Sequence, residues 1–129
     1  MSPLIEVDSD GVYWLLRAKH DNGQCVGAMQ IRRWRECVCV GVAFGLLVAP
    51  EFRRQRVANM LMLRAEETAR INGMSLLLAT IRADNEASLS LVLSRGWHRT
   101  AEMRNPKSGA DLYLYSKSIV GALRMEGEE

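Results

Sequence analysis

The segment Leu46-Leu47-Val48-Ala49-Pro50-Glu51-Phe52-Arg53-Arg54-Gln55-Arg56-Val57-Ala58-Asn59-Met60-Leu61 concentrates the residue types best suited to chemistry in this sequence. An apolar run ends at Pro50, a basic turn follows, and a helical period begins near Gln55. The first N–H groups of a helix have no intrahelical acceptor, and the helix dipole adds partial positive charge at the same end. With Arg53, Arg54 and Arg56 beside it, such a corner favours phosphate oxygens. Taken alone, the same arginines fit a solvated helix start equally well.

The other chemistry-bearing residues are less pointed. Asn85 reads first as a helix cap. Cys25, Cys37 and Cys39 are an odd number without C-x-x-C spacing, so they suggest neither a disulfide framework nor a zinc knuckle. They read as small core residues in a reducing compartment. His20 and His98 have no partners at metal-ligand spacing, and no metal is expected. Trp34 with Arg32, Arg33 and Arg35 reads as a hairpin tip with solvated arginines rather than a nucleic-acid patch.

The elements that must position these residues follow from pattern. Strands are expected over Val12–Ala18 and Cys25–Arg32, with the turn His20-Asp21-Asn22-Gly23 between them. The run Cys37 to Val48 is apolar at nearly every position, as in a central strand, and Gly41 and Gly45 mark a bend or bulge. Gln55 to Ile71 has helical period, with Val57, Leu61, Ala65 and Thr68 on one arc and Asn59, Glu66 and Arg70 opposite. Asn72-Gly73 stops it. Met74–Ile81 is a second buried strand, and Asp84 or Asn85 caps a short helix reaching Ser94. Trp97–Asn105 and Asp111–Ser118 form a closing hairpin, and Val120–Glu129 reads as a frayed tail. The expected order is β-β-β-α-β-α-β-β, in a single domain over residues 1–129.

These motifs, in this order, resemble the GNAT superfamily of N-acetyltransferases. Its acyl-CoA signature, Q/R-x-x-G-x-G/A, is met at Arg53 and Ala58, after the lead-in Val48-Ala49-Pro50-Glu51-Phe52. Arg56 fills the glycine position. Asn85-Glu86-Ala87-Ser88 and Leu91-Val92-Leu93-Ser94-Arg95-Gly96-Trp97 are similar to the family's N-x-x-[AS] and LY-x-x-x-GF segment, with Val92 where a tyrosine acid is common and Thr80 where some relatives carry a glutamate base. The resemblance implies an α/β (α+β) fold, a GNAT-like mixed sheet with helices on its faces, and acetyl-CoA as acyl donor without a metal. It further implies that Leu46, Leu47 and Val48 pair with the pantetheine arm, that Arg53, Arg54, Gln55, Arg56, Val57, Ala58 and Asn59 surround the pyrophosphate, and that Asn85 bonds the pantetheine. The catalytic residues stay unassigned, with water, Ser88, Ser90, Tyr113 and Tyr115 as substitutes for the missing tyrosine. The implied reaction is acetyl transfer to a primary amine of a protein or small molecule. The alternative is a degenerate CoA-binding module without turnover that acts through protein interaction. Relatives place a strand and two helices ahead of Val12, so this side reads as reduced, with either an open acceptor site or one completed in a homodimer.

Composition narrows the partners. Seventeen Lys+Arg against fifteen Asp+Glu leave a net charge of +2, which disfavours nucleic acid as the ligand. The longest uncharged run, Cys37 to Pro50, is too short to span a bilayer, so a cytoplasmic protein without membrane contact is expected.

Overall fold

A computed structural model describes residues 3–53 and 56–119. The elements are β1 (Leu4–Ser9), β2 (Tyr13–Lys19), β3 (Cys25–Arg33), β4 (Val40–Val48), α1 (Val57–Ile71), β5 (Leu76–Arg82), α2 (Glu86–Ser94), β6 (His98–Arg104) and β7 (Asp111–Ser118), with a single 3-10 turn at Pro50–Phe52. They form one mixed sheet in the order β1-β2-β3-β4-β5-β7-β6, in which only β4 and β5 run parallel. The expected tail at Val120–Glu129 lies outside the described residues. No described helix is long and apolar enough to cross a membrane.

Four expectations from the sequence need correction. The first is at the start of the chain, where β1 pairs along its whole length with β2, from Leu4↔Lys19 to Ser9↔Trp14. Its signal is the alternation of Ile5 and Val7, which pack on the core, with Glu6 and Asp8, which form ion pairs with Lys19 and Arg17. The reduced part is therefore the connection: a turn at residues 10–12, held by the Asp10 carboxylate accepting from Val12 and Tyr13 N–H, joins β1 directly to β2. The second correction concerns the cysteines. β4 starts at Val40 rather than Cys37, because residues 34–39 are folded into turns by the bonds Cys37 N–H to Trp34 O (3.2 Å) and Val40 N–H to Cys37 O (2.9 Å). Cys25, Cys37 and Cys39 are consequently exposed, not core residues.

The core lies on one sheet face. Alternation along each strand delivers Trp14, Leu16 and Ala18, then Met29 and Ile31, then Ala43, then Leu77, Ala79 and Ile81, and finally Tyr115 to that face. Val57, Leu61, Met62, Ala65 and Ala69 of α1 cover it. The connections β4-α1-β5 and β5-α2-β6 cross the sheet in the same direction, so with the usual right-handed sense both helices stack on this face. The opposite face, with Tyr13, Leu15, Val42, Leu78 and Leu114 half-buried, carries no described helix. At its edge Arg33 is not a solvated arginine: it lies 5.2 Å over the Trp14 ring and donates to the carbonyls of Gly11, Val38 and Asn72.

Glu66, expected on the solvent side of α1, is buried. Its carboxylate accepts from Arg95 Nη2 (2.7 Å), Trp97 Nε1 (3.0 Å) and Lys117 Nζ (2.9 Å). The helix of one half of the sheet is thereby bonded to the end of α2 and to β7 in the other half. Burial opposes the charge on Glu66, but the bonds from Arg95, Lys117 and Trp97 outweigh it and hold the carboxyl below its ordinary value. A depressed carboxyl stabilises the fold above the unfolded pKa, and that contribution is lost as pH falls through the folded one. The melting temperature should therefore drop as pH falls below about 4.3, the ordinary glutamate value, and the drop should be shallower in Glu66→Gln. Glu66→Ala, which strands the buried Trp97 N–H and two cations, should lose about 2 kcal/mol in urea unfolding at neutral pH.

Candidate active site

The parallel contact between β4 and β5 is three pairs long: Val40↔Leu76, Gly41↔Leu77 and Val42↔Leu78. Beyond it β4 stays with β3 as far as Val48, and β5 stays with β7 as far as Arg82, so a cleft opens between them. The cause is local. Between Gln30↔Phe44 and Ala28↔Leu47 the register shifts, because β4 spends one extra residue where β3 spends Met29. Gly45, at φ 70°, takes the left-handed backbone at this bulge, and a Cβ there would stand 2.5 Å from Gln30 Nε2.

The cleft holds a cavity of about 260 Å³ bounded by Ala43 and Leu46 of β4, Ala79 and Ile81 of β5, and Ser88 and Val92 of α2. In an antiparallel ladder, successive residues turn their amides to opposite edges. Ala49 N–H donates to Val26 O on the β3 side (2.8 Å), which turns Val48 to the cleft. In agreement, the Val48 carbonyl accepts from Arg53 Nε at 3.1 Å. Leu46 lines the cavity, while the Leu47 side chain is exposed.

At the mouth of the cleft α1 begins without a side-chain cap. Among the described residues its first intrahelical bond runs from Met60 N–H to Arg56 O (3.0 Å), and helix geometry gives the N–H groups of Val57, Ala58 and Asn59, in the first turn, no acceptor within the helix. The Val57 side chain is buried in the core, so that residue offers the site its amide only. Arg56 is exposed and sits at φ 67°, ψ 12°, the single non-glycine residue with positive φ among the described residues. The backbone at the motif's glycine position has kept the conformation that favours glycine, although a side chain is present. Arg54 and Gln55 lie outside the described residues.

Asn85 serves as N-cap of α2, its Oδ1 accepting from Ser88 N–H at 3.1 Å, and it also lines the cavity, which leaves its Nδ2 donors for the cleft. Arg82 clasps Asp84 at the same rim through two bonds of 3.1 Å and holds that carboxyl below its usual range. Of the hydroxyls weighed as substitutes for the tyrosine, Ser88 lines the cleft, one turn before Val92 on the same face of α2. Tyr115 is buried in the core and Tyr113 lies 3.8 Å beneath Arg99; neither they nor Ser90 border the cavity.

A second, larger cavity of about 1050 Å³ occupies the uncovered sheet face between Tyr13, Trp34, Val42, Leu78, Met103 and Leu114. Sequence reading missed it. Its signal was the apolar residues Leu76, Leu78, Leu112 and Leu114 at positions whose neighbours already supply the core face. Ala79 and Thr80 of β5 border both cavities.

Residues 2–97 match the profile of the Acetyltransferase (GNAT) family. The fold is shared with the IAA acetyltransferase of Bacillus cereus (TM-score 0.80, 16% identity, 91% of this chain and 99% of that one covered). It is shared too with the ribosomal-protein-S18-alanine N-acetyltransferase of Escherichia coli (0.74, 18%, 87% and 72%). A third likeness is to YncA of Salmonella typhimurium, solved with its cofactor acetyl-CoA (0.72, 24%, 83% and 65%). No curated protein matches the sequence significantly.

The left-handed backbone at Arg56 costs a residue with a Cβ about 1 kcal/mol. Arg56→Gly should therefore raise stability by about that amount in denaturant unfolding, whereas Arg56→Ala, which keeps the Cβ, should not.

Proposed function

This chain belongs to the Acetyltransferase (GNAT) family, and from that premise we propose that it binds acetyl-CoA in the β4–β5 cleft and transfers the acetyl group to a primary amine arriving over the uncovered sheet face. The observation that carries the reading is the three-residue parallel contact, which leaves the Val48 amide facing an open cleft next to the uncapped start of α1. The residues present suit such a ligand: free main-chain donors for an extended amide-bearing arm, and amides with guanidinium groups for a diphosphate. Bound there, acetyl-CoA supplies an acetyl thioester open to attack by an amine.

Leu46 and Val48 offer main-chain groups to the pantetheine, Leu47 between them keeping its own amide on β3, with the Val48 N–H directed at the thioester oxygen, where negative charge grows during attack. The amides of Val57, Ala58 and Asn59, with Arg53, Arg54, Gln55 and Arg56, hold the pyrophosphate. Asn85 Nδ2 donates to the pantetheine while its Oδ1 keeps the cap of α2. Ser88 Oγ stands in the cleft to donate a hydrogen bond to the departing sulfur, the task for which the apolar Val92 has no group. Water takes the proton of the amine. Because no described helix covers the acceptor face, a protein amine fits the groove as well as a small molecule does. A homodimer that closes the groove would narrow that choice. Three free cysteines suit a cytoplasmic setting.

The test is thiol release from acetyl-CoA with a panel of peptide, protein and small amines. Release with at least one acceptor is expected. Coenzyme A binding without release from any acceptor would favour the second reading, an interaction module without turnover, which Val92 motivates. Asn85→Asp, which keeps the cap but loses the amide donor, should weaken coenzyme A binding roughly tenfold by calorimetry with little change in melting temperature. Ser88→Ala should lower kcat by about tenfold and leave the KM for acetyl-CoA nearly unchanged.

A further inference from the structure

The turn between β3 and β4 carries two cysteines that the acyl-transfer reading leaves unused. Cys37 and Cys39 are exposed, and their sulfurs lie 3.3 Å apart. The backbone that presents them is anchored on both sides. Val40 N–H closes a turn onto Cys37 O, and the Cys39 carbonyl accepts from Ser75 N–H (2.7 Å) and Leu76 N–H (3.3 Å) where β5 begins. The sulfurs are therefore held together by two neighbouring strands. Cys25, the third cysteine, sits apart at the start of β3, its thiol 3.4 Å from Gly27 O on its own strand.

We propose that Cys37 and Cys39 form a reversible dithiol–disulfide couple, a modification site that exchanges with a small disulfide of the glutathione type. In the first step the Cys39 thiolate attacks one sulfur of the small disulfide; a Cys39–glutathione bond forms and one glutathione thiolate leaves. In the second, the Cys37 thiolate attacks the Cys39 sulfur; the Cys37–Cys39 bond forms and the second glutathione thiolate leaves. The two cysteine protons end on the two departing thiolates, so two protein thiols are oxidised and one disulfide is reduced to two thiols.

The order of the steps follows from the asymmetry of the pair. Hydrogen bonds from Cys37 and Ser75 hold the Cys39 thiol below its ordinary value, and the bond to Cys39 pushes the Cys37 thiol up. The lower thiol is the larger source of thiolate and attacks first. A bridge across a single intervening residue closes a small ring, and such strained, exposed disulfides are the readily reduced ones, which makes the couple reversible.

The experiment uses the full chain and oxidised glutathione, followed by alkylation and mass spectrometry of the tryptic peptide 36–53. In the wild type this peptide should lose two hydrogens and resist alkylation while Cys25 remains alkylatable. Cys37→Ser should retain one glutathione on Cys39, because the resolving thiol is gone. Cys39→Ser should react roughly tenfold more slowly than Cys37→Ser. The proposal is overturned if wild-type protein accumulates glutathione on either cysteine without closing the bridge, or if the pair reacts no faster than Cys25.

Discussion

The length of the parallel contact between β4 and β5 is the constraint on which the rest of this molecule depends. Had the two strands stayed paired to their ends, the amides of β4 would be satisfied by β5 and no cleft would exist. Pairing instead stops at Val42↔Leu78, because the bulge at Gly45 adds one residue to β4 and turns the strand off its course. The same divergence creates the cavity, frees the Val48 amide and brings the start of α1 to the mouth of the opening.

A sheet held across its middle by so few pairs needs other ties between its halves. β1 to β4 with α1 make one half, and β5 to β7 with α2 the other. The hydrophobic core spans both. Glu66 adds a polar tie, reaching from α1 to Arg95, Trp97 and Lys117. Burying a carboxylate is unfavourable unless every partner is in place, so this tie favours one arrangement of the halves over a sliding contact. The walls of the cleft keep their separation for that reason, and a preformed site loses little free energy on ordering around its ligand.

Much of this was legible from residue order. The basic turn after Pro50, the period of α1, the cap at Asn85 and the closing hairpin are local signals, and the two motifs at their separation pointed to the family. The misses share a physical cause, namely that long-range pairing decides what local pattern leaves open. The alternation in Leu4–Ser9 is short and becomes a strand through β2. Cys37 and Cys39 continue an apolar run, yet turn bonds to Trp34 and Val40 remove them from it. Glu66 reads as a surface charge until Arg95 and Trp97, just past the end of α2, and Lys117 of β7 supply its three donors. Arg56 was visible as a side chain at a glycine position, but its left-handed backbone became evident only with the structure.

The most direct test of the central claim follows backbone amides by nuclear magnetic resonance while coenzyme A is added. The account predicts that the N–H signals of Val48, Val57, Ala58 and Asn59 shift together and saturate with one binding constant, while those of β1 stay in place. Signals at Val48 and the start of α1 that do not move while coenzyme A binds elsewhere, or no binding at all, would contradict it.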